Sequence, residues 1–222
     1  MPDSLHIETF ILGDWQTNCY VLHAKPVVAD ATLPTPCWIV DAGFEPHKLI
    51  QYIKRNNLAP RAVLLTHAHI DHIAGLPDIR RHWPDLPILI HEDETAFLTD
   101  PMLNLSAFLP EPLVVPEATA TFKHGDTLEV AGLACLIRHT PGHSPGGATL
   151  YFQSESTAFV GDTLFRDSVG RSDFPTSDQA ALFRSISEQL LTLPDDTRVL
   201  PGHGPATTIG RERRSNPFLR QT

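Results

Sequence analysis

Three imidazoles and a carboxylate fall within Thr66-His67-Ala68-His69-Ile70-Asp71-His72, and no other stretch limits so strongly what the chain can fold into. Ahead of it runs Arg61-Ala62-Val63-Leu64-Leu65, a short apolar run suited to a buried strand. Behind it, Ile73, Leu76, Ile79 and Trp83 recur at helical spacing. The cluster therefore sits where a strand hands over to a helix. Near a strand end, side chains two apart share a face, so His67 and His69 aim together, while Asp71 and His72 lie beyond the turn and address a second point. One segment can thus serve two metal positions.

Charge and length set the outer bounds. Lys+Arg 17 against Asp+Glu 26 leaves a formal net charge of -9, which opposes nucleic acid or an anionic membrane as the main partner. A chain of 222 residues suits a single domain, 1–222, with a substantial core. The N-terminus lacks the basic start and apolar centre of a signal peptide, and no apolar run approaches a membrane span, so a cytoplasmic enzyme is expected. Cys19, Cys37 and Cys135 are odd in number, show no C-x-x-C spacing and sit in apolar runs. They read as buried free thiols of a reducing compartment.

Leu5 to Leu12 and Asn18 to His23 flank Gly13-Asp14-Trp15-Gln16 as a hairpin. Cys37 to Val40 is a buried strand ending in Asp41-Ala42-Gly43, followed by a helix from Pro46 to about Asn57. After the cluster and its helix, Pro87 to Ile90 is a strand and Glu92 to Leu98 a short helix. The four prolines between Asp100 and Glu117 predict an extended surface loop, a wall or lid of a site. Strands follow at Leu128–Val130, Leu133–Arg138, Ala148–Phe152 and Thr157–Val160. Then come an amphipathic helix, Asp178 to Leu191, and a last strand, Thr197 to Leu200. Strands and helices mix in both halves without strict alternation, which predicts an α/β (α+β) domain of sheets with helices packed outside them.

Three further stations stand at the ends of apolar runs: His143 in His139-Thr140-Pro141-Gly142-His143-Ser144-Pro145-Gly146-Gly147, Asp162 in Gly161-Asp162-Thr163, and His203 in Pro201-Gly202-His203-Gly204. Singly, Asp162 reads as a helix N-cap and His203 as a loop residue bonded to backbone. Together they occupy the carboxyl ends of strands, where sites gather in layered folds. Five histidines and two aspartates suffice for two divalent metals sharing a carboxylate and a water.

The T-H-x-H-x-D-H cluster, P-G-H-S-x-G, G-D-T and P-G-H-G, in this order along nearly the whole chain, resemble the metallo-beta-lactamase superfamily. The resemblance implies a four-layer αβ/βα sandwich with the metals at one edge of two facing sheets. It also implies His67, His69 and His143 on one metal, Asp71, His72 and His203 on the other, and Asp162 bridging. Gly161 to Phe165, Gly170-Arg171-Ser172-Asp173-Phe174-Pro175 and the ending Thr207 to Arg213 resemble the short bacterial form of glyoxalase II-type thioester hydrolases. A single domain is expected on this likeness, without the helical C-terminal domain with which longer members help bind glutathione.

The chemistry expected is hydroxide attack on a thioester carbonyl such as that of S-lactoylglutathione. Two ions about 3.5 Å apart lower the pKa of a shared water toward about 7. Asp71 and Asp162 are the catalytic carboxylates on this reading. The cofactors are two divalent ions, zinc first, with iron or manganese open to the same donors. Arg166 and Arg171 are the nearest cations for a substrate carboxylate, and Arg211, Arg213, Arg214 and Arg220 form a basic tail that could close over it. Asp41 could orient a histidine or cap a turn. His6, His23, His47, His82, His91, His124 and His139 are scattered and read as structural or surface. The alternatives are a mononuclear-iron persulfide dioxygenase and a hydrolase of another ester, lactone or lactam.

Overall fold

The structure is a computed structural model and describes residues 5–24 and 33–219. Arg220 of the basic tail lies outside the described residues, as does the chain start, Met1 to Ser4. The opening hairpin pairs β1 (Leu5–Leu12) with β2 (Thr17–Ala24), Leu5 opposite Ala24 and Leu12 opposite Thr17. β3 (Thr35–Val40) joins β2 antiparallel. β4 (Leu58–Leu64), β5 (Ile88–His91) and β6 (Ala120–Phe122) follow in parallel, completing a mixed sheet in the order β1 to β6. The chain then builds β7 (Thr127–Val130), β8 (Leu133–His139), β9 (Ala148–Phe152) and β10 (Thr157–Gly161) as an antiparallel meander. A small hairpin, β11 (Leu164–Phe165) with β12 (Ser168–Val169), precedes β13 (Arg198–Pro201), which lies parallel to β10, and β14 (Thr207–Thr208) closes that edge.

Alternation along the strands sorts the apolar residues into three cores. Val40, Leu64, Phe159 and Leu200 meet Tyr20, Leu22, Phe122, Ile137, Leu150 and Phe152 between the two sheets. Their strand neighbours face outward: Ile39, Val63 and Leu65 pack under helices, and Ala158, Val160 and Val199 do the same on the other sheet. Strands buried on both faces explain why their sequences run apolar instead of alternating. On the first sheet lie α1 (His47–Arg55), α2 (Ile70–Ile73) and α3 (Leu76–His82). On the second lie α4 (Gln179–Ser185) and α5 (Ile209–Ser215). α1 docks through Leu49, Ile50 and Ile53, each buried side chain contributing roughly 1.5–3 kcal/mol. Three cores between four layers are the expected αβ/βα sandwich.

Three local expectations change. The helix after His72 is not continuous: it breaks at Gly75, whose N–H donates to the Ala42 carbonyl at 2.7 Å and where a Cβ would stand 2.3 Å from the Gly43 carbonyl oxygen. The turn after β3 crosses there, leaving no room for a side chain. The helix expected from Asp178 begins one residue later, because Asp178 is its N-cap, accepting from the Ala181 N–H at 2.9 Å, and its second half widens to a π-turn over Ile186–Leu190. The proline-rich loop is an anchored wall. Buried Asn104 donates to the carbonyls of Phe97 and Leu113 at 2.9 and 3.1 Å, and its own carbonyl accepts from the Ile70 N–H at 2.9 Å.

Candidate metal centre

The carboxyl ends of β3 and β4 in one sheet face those of β10 and β13 in the other, and the loop after β8 reaches the same point. β4 runs into Thr66–His72, the loop after β8 carries His143, β10 ends at Gly161-Asp162, and β13 leads to His203. The sheets are tied across this edge by Ala148 N–H to the Thr66 carbonyl (2.8 Å) and by Asn18 N–H to the Gly202 carbonyl (2.7 Å). Asn18 also donates its side-chain amide to the carbonyls of Pro201 and Gly204, so the β1–β2 turn holds the His203 loop in place.

The seven expected residues meet. His67, His69 and His143 bring donor atoms within 4.8 Å of one another, Asp71, His72 and His203 do the same, and His67, His72 and Asp162 form a third such group that joins the two. His69 Nδ1 lies 2.9 Å from His143 Nε2. Asp162 Oδ2 lies 3.6 Å from His143 Nε2 and 3.5 Å from His203 Nε2, and its Oδ1 is 3.4 Å from His72 Nε2. His203 Nε2 is 3.0 Å from Asp71 Oδ2. Buried and without a hydrogen-bond partner are His67 Nε2, His69 Nε2, His72 Nε2 and Asp162 Oδ1. Orphaned buried polar atoms are costly, and those of His67, His72 and Asp162, whose side chains form one of the three groups, fit a divalent cation held by imidazole and carboxylate.

Four of the five histidines are clamped from behind. Nδ1 of His72 faces Asp41 Oδ2 at 2.9 Å, that of His143 the Arg171 carbonyl at 2.8 Å, and that of His203 the Trp15 carbonyl at 3.1 Å. Nδ1 of His67 faces the Thr66 hydroxyl at 3.2 Å. A proton on Nδ1 leaves the Nε2 lone pair for the site. Asp41, held at a positive φ of 58°, also accepts from the Thr66 N–H and hydroxyl, both at 2.8 Å. It therefore both orients a histidine and braces a turn.

Electrostatics divide the centre. Burial, reinforced by neighbouring imidazoles, holds His67 well below the usual histidine range and brings His69 down to about 3, so both stand neutral. Burial also disfavours charge on His72 and His203, but the carboxylates of Asp71, Asp41 and Asp162 around His72, and of Asp71 and Asp162 around His203, outweigh it and push both upward. Asp71 and Asp162 stay ionised: burial opposes their charge, and His72 and its neighbours overcome it.

Two side chains escaped the sequence reading. Thr17 donates its hydroxyl to Asp71 Oδ2 at 2.8 Å. Glu94, fully buried, accepts from the Gly146 N–H at 3.1 Å and the Ala68 N–H at 3.3 Å, joining the loops that carry His69 and His143. Burial raises its pKa to about 7, against the N–H groups that favour its charge. The signal was present: Glu94 shares the inward face of Glu92–Leu98 with buried Phe97 and Leu98.

Asp71, Asp162 and the imidazoles open into a cavity of about 580 Å³. Of the two expected substrate arginines, only Arg171 lines it; Arg166 is exposed at the turn between β11 and β12. The described part of the basic tail, Arg211, Arg213 and Arg214, does not line the cavity. It lies in α5, where Arg211 pairs with Asp167 and Glu212 and both Arg213 and Arg214 pair with Asp195. Of the histidines read as structural or surface, His91 and His139 come together, their rings stacked at 4.0 Å and 15° beside Asp93. Stacked rings direct their lone pairs in parallel, and His139 Nε2 is already engaged by the Pro145 carbonyl at 2.8 Å.

Comparison with known families matches residues 12–203 to the metallo-beta-lactamase superfamily. The chain is 40% identical over 209 residues to Probable metallo-hydrolase YqgX of Bacillus subtilis (strain 168), covering 94% of each. It is 37% identical over 224 residues to hydroxyacylglutathione hydrolase GloC of Haemophilus influenzae, covering 97% of this chain and 98% of the relative. Among solved structures, BLEG-1 B3 metallo-beta-lactamase superposes with a TM-score of 0.87 at 39% identity, over 96% of this chain and 99% of the other. TTHA1623 in a di-iron-bound form superposes with a TM-score of 0.80 at 37% identity, over 96% and 100%. With the buried His/Asp groups, these likenesses support a metal-dependent hydrolase. Because the matched span holds every strand end that feeds the centre, the chain belongs to the metallo-beta-lactamase superfamily.

Proposed function

We propose that the chain is a dinuclear metal-dependent hydrolase of thioesters, S-lactoylglutathione among them, releasing the hydroxyacid and free thiol. One observation carries the reading: among the described residues no Ser, Thr, Cys or Lys lines the cavity, whose polar floor is His69, Asp71, His143, Asp162 and His203. With no hydroxyl, thiol or amine there to form an acyl-enzyme, and with the carboxylates and imidazoles grouped as metal donors, water is the nucleophile on this reading. The three cysteines are buried, Cys37 and Cys135 with pKa values pushed up to about 12. On this reading His67, His69 and His143 would hold one divalent ion and Asp71, His72 and His203 the other, with Asp162 placed between the two groups. Zinc comes first, and iron or manganese fits the same donors. When bound, such a pair supplies an activated water at neutral pH and a Lewis acid for the carbonyl.

The chain's own residues do the rest. Asp71, ionised and held by the Thr17 hydroxyl, faces the cavity as acceptor for the water's proton. The Nδ1 clamps keep His72, His143 and His203 aimed at the centre. A thiolate leaves with little need for a proton, since a free thiol has a pKa of about 8.5, so a cavity without a separate general acid suits a thioester. GloC's name supports a glutathione conjugate. Asp71, His72 and His203 form a second donor group beside that of His67, His69 and His143, which favours two ions over the single iron of a mononuclear oxygenase. A small-molecule partner and a cytoplasmic location go with the reading: the cysteines are free thiols, and no described helix is long and apolar enough to cross a membrane.

The test is thiol release from a panel of acyl-thioesters by protein loaded in turn with zinc, iron(II) and manganese, with elemental analysis alongside. Turnover at two metals per chain is expected. Loaded protein that leaves every thioester intact sinks the reading. Opening of a β-lactam by the same protein would favour a second one, suggested by the likeness to BLEG-1.

A further inference from the structure

Above the polar floor, the cavity wall is Trp15, Ile70, Leu105, Phe165, Phe174 and Pro175. It covers both halves of the centre. Phe174 lies 5.3 and 5.7 Å from the rings of His69 and His143, while Phe165 lies 6.2 Å from that of His203 and the Trp15 carbonyl holds the same histidine. Among the described residues Arg171 is the only lysine or arginine lining this cavity, and it is already engaged. It makes a two-pronged pair with Asp173 at 2.9 and 3.0 Å and lies over the Phe174 ring at 4.4 Å. A substrate carboxylate would have to displace Asp173, exchanging one exposed pair for another with little net gain.

Leu105 supplies the second observation. It sits at φ 69°, ψ 10°, the left-handed region in which a glycine or asparagine is cheaper than a branched aliphatic residue. The strain is imposed from outside: Asn104 is pinned at both its amide and its carbonyl, and its side chain accepts from the Ser106 N–H at 3.0 Å. An apolar side chain kept at a strained position and facing a cavity is the mark of a functional constraint.

Resting on the thioester reading, we propose that this wall selects the acyl group, and that the preferred substrates are thioesters of apolar acyl chains, aliphatic or aromatic, over small hydroxyacyl ones. Each methylene buried against such a wall favours the complex by about threefold to fourfold. A cavity of about 580 Å³ has the room for a chain of this kind.

The experiment holds the thiol constant as glutathione and varies the acyl group through lactoyl, acetyl, butyryl, hexanoyl and phenylacetyl. The expected result is a kcat/KM at least tenfold higher for hexanoyl than for lactoyl or acetyl. In Leu105→Asn the melting temperature should hold or rise, because asparagine tolerates the left-handed backbone, while the hexanoyl-to-acetyl ratio falls at least threefold. Trp15→Ala should lower the same ratio. If thioesters are cleaved but lactoyl matches or exceeds hexanoyl, the inference is overturned and the thioester reading stands. If the ratio is high but unmoved in both variants, the wall does not select the acyl group. If no thioester is cleaved, the underlying reading falls and this inference with it.

Discussion

The two halves of the centre are each backed by a buried carboxylate, and they use it differently. Behind His72, Asp41 touches the imidazole itself at 2.9 Å. Behind His69 and His143, Glu94 touches no imidazole; it gathers the backbone N–H groups of Ala68 and Gly146, one from each loop. The first half is all imidazole, with His67 and His69 pushed toward neutrality, while the second is held among ionised carboxylates that draw protons onto its histidines. One carboxylate sets the electronics of a donor, and the other sets the spacing of two loops. Damage to the two halves should therefore look different.

The largest effect is expected where the halves meet. A Cβ at Gly202 would stand 2.1 Å from Asp162 Oδ1 and 2.6 Å from His72 Cε1, so Gly202→Ala must displace both. Turnover should drop by about a hundredfold or more, with loss of metal, in steady-state kinetics paired with elemental analysis. Unchanged stoichiometry would place the joint between the halves elsewhere.

Next comes Asp41→Asn, which keeps the shape and removes the charge behind His72. Metal affinity of the second half should weaken by about 10–100-fold while the first half still fills, giving one tight and one weak step in a competition titration. Equal weakening of both steps would break the distinction drawn here.

Glu94 should instead register in stability. Glu94→Ala leaves two buried N–H groups without acceptors, an expected loss of about 2–4 kcal/mol by urea unfolding. Glu94→Gln addresses pH. A folded pKa of about 7 against an ordinary 4.5 means that the protonated carboxyl adds stability below pH 4.5, and that this contribution is lost as pH rises through 7. The advantage of wild type over Glu94→Gln should fall across that window, by at most tenfold in the folding equilibrium per pH unit. A gap that widened with pH would reverse the sign.

The smallest effect is expected for Thr17→Val, which removes one hydrogen bond to Asp71 from a site that keeps its other contacts. A loss of about fivefold in kcat/KM is expected, carried by kcat if Asp71 accepts the water's proton.

The fold was legible where burial on both faces of a strand left an unbroken apolar run, as at Val63-Leu64-Leu65 and Ala158-Phe159-Val160. It was less legible where the reason for a break lay in a distant segment. The helix after His72 stops because the turn at Ala42-Gly43 occupies the space at Gly75; Gly75 and Pro77 mark a break locally, but not the segment that requires it. Arg166 and the basic tail misled for a related reason. Nearness in sequence to Asp162 says nothing about facing the cavity, and the cations of α5 are engaged by Asp167, Asp195 and Glu212, of which two lie in other segments.

By itself the sequence determined the donor inventory and its order: five histidines and two aspartates, each at the end of a short apolar run, because strand ends and tight turns are local matters of periodicity and glycine placement. Only the tertiary structure decided how those seven side chains divide into two halves, which carboxylate backs which half, and that the space above them is walled by Trp15, Leu105, Phe165 and Phe174. Those residues come from the β1–β2 turn, the proline-rich loop, β11 and the loop after β12, which meet only after both sheets have packed, and contacts so far apart in the chain are set by the packing of the layers.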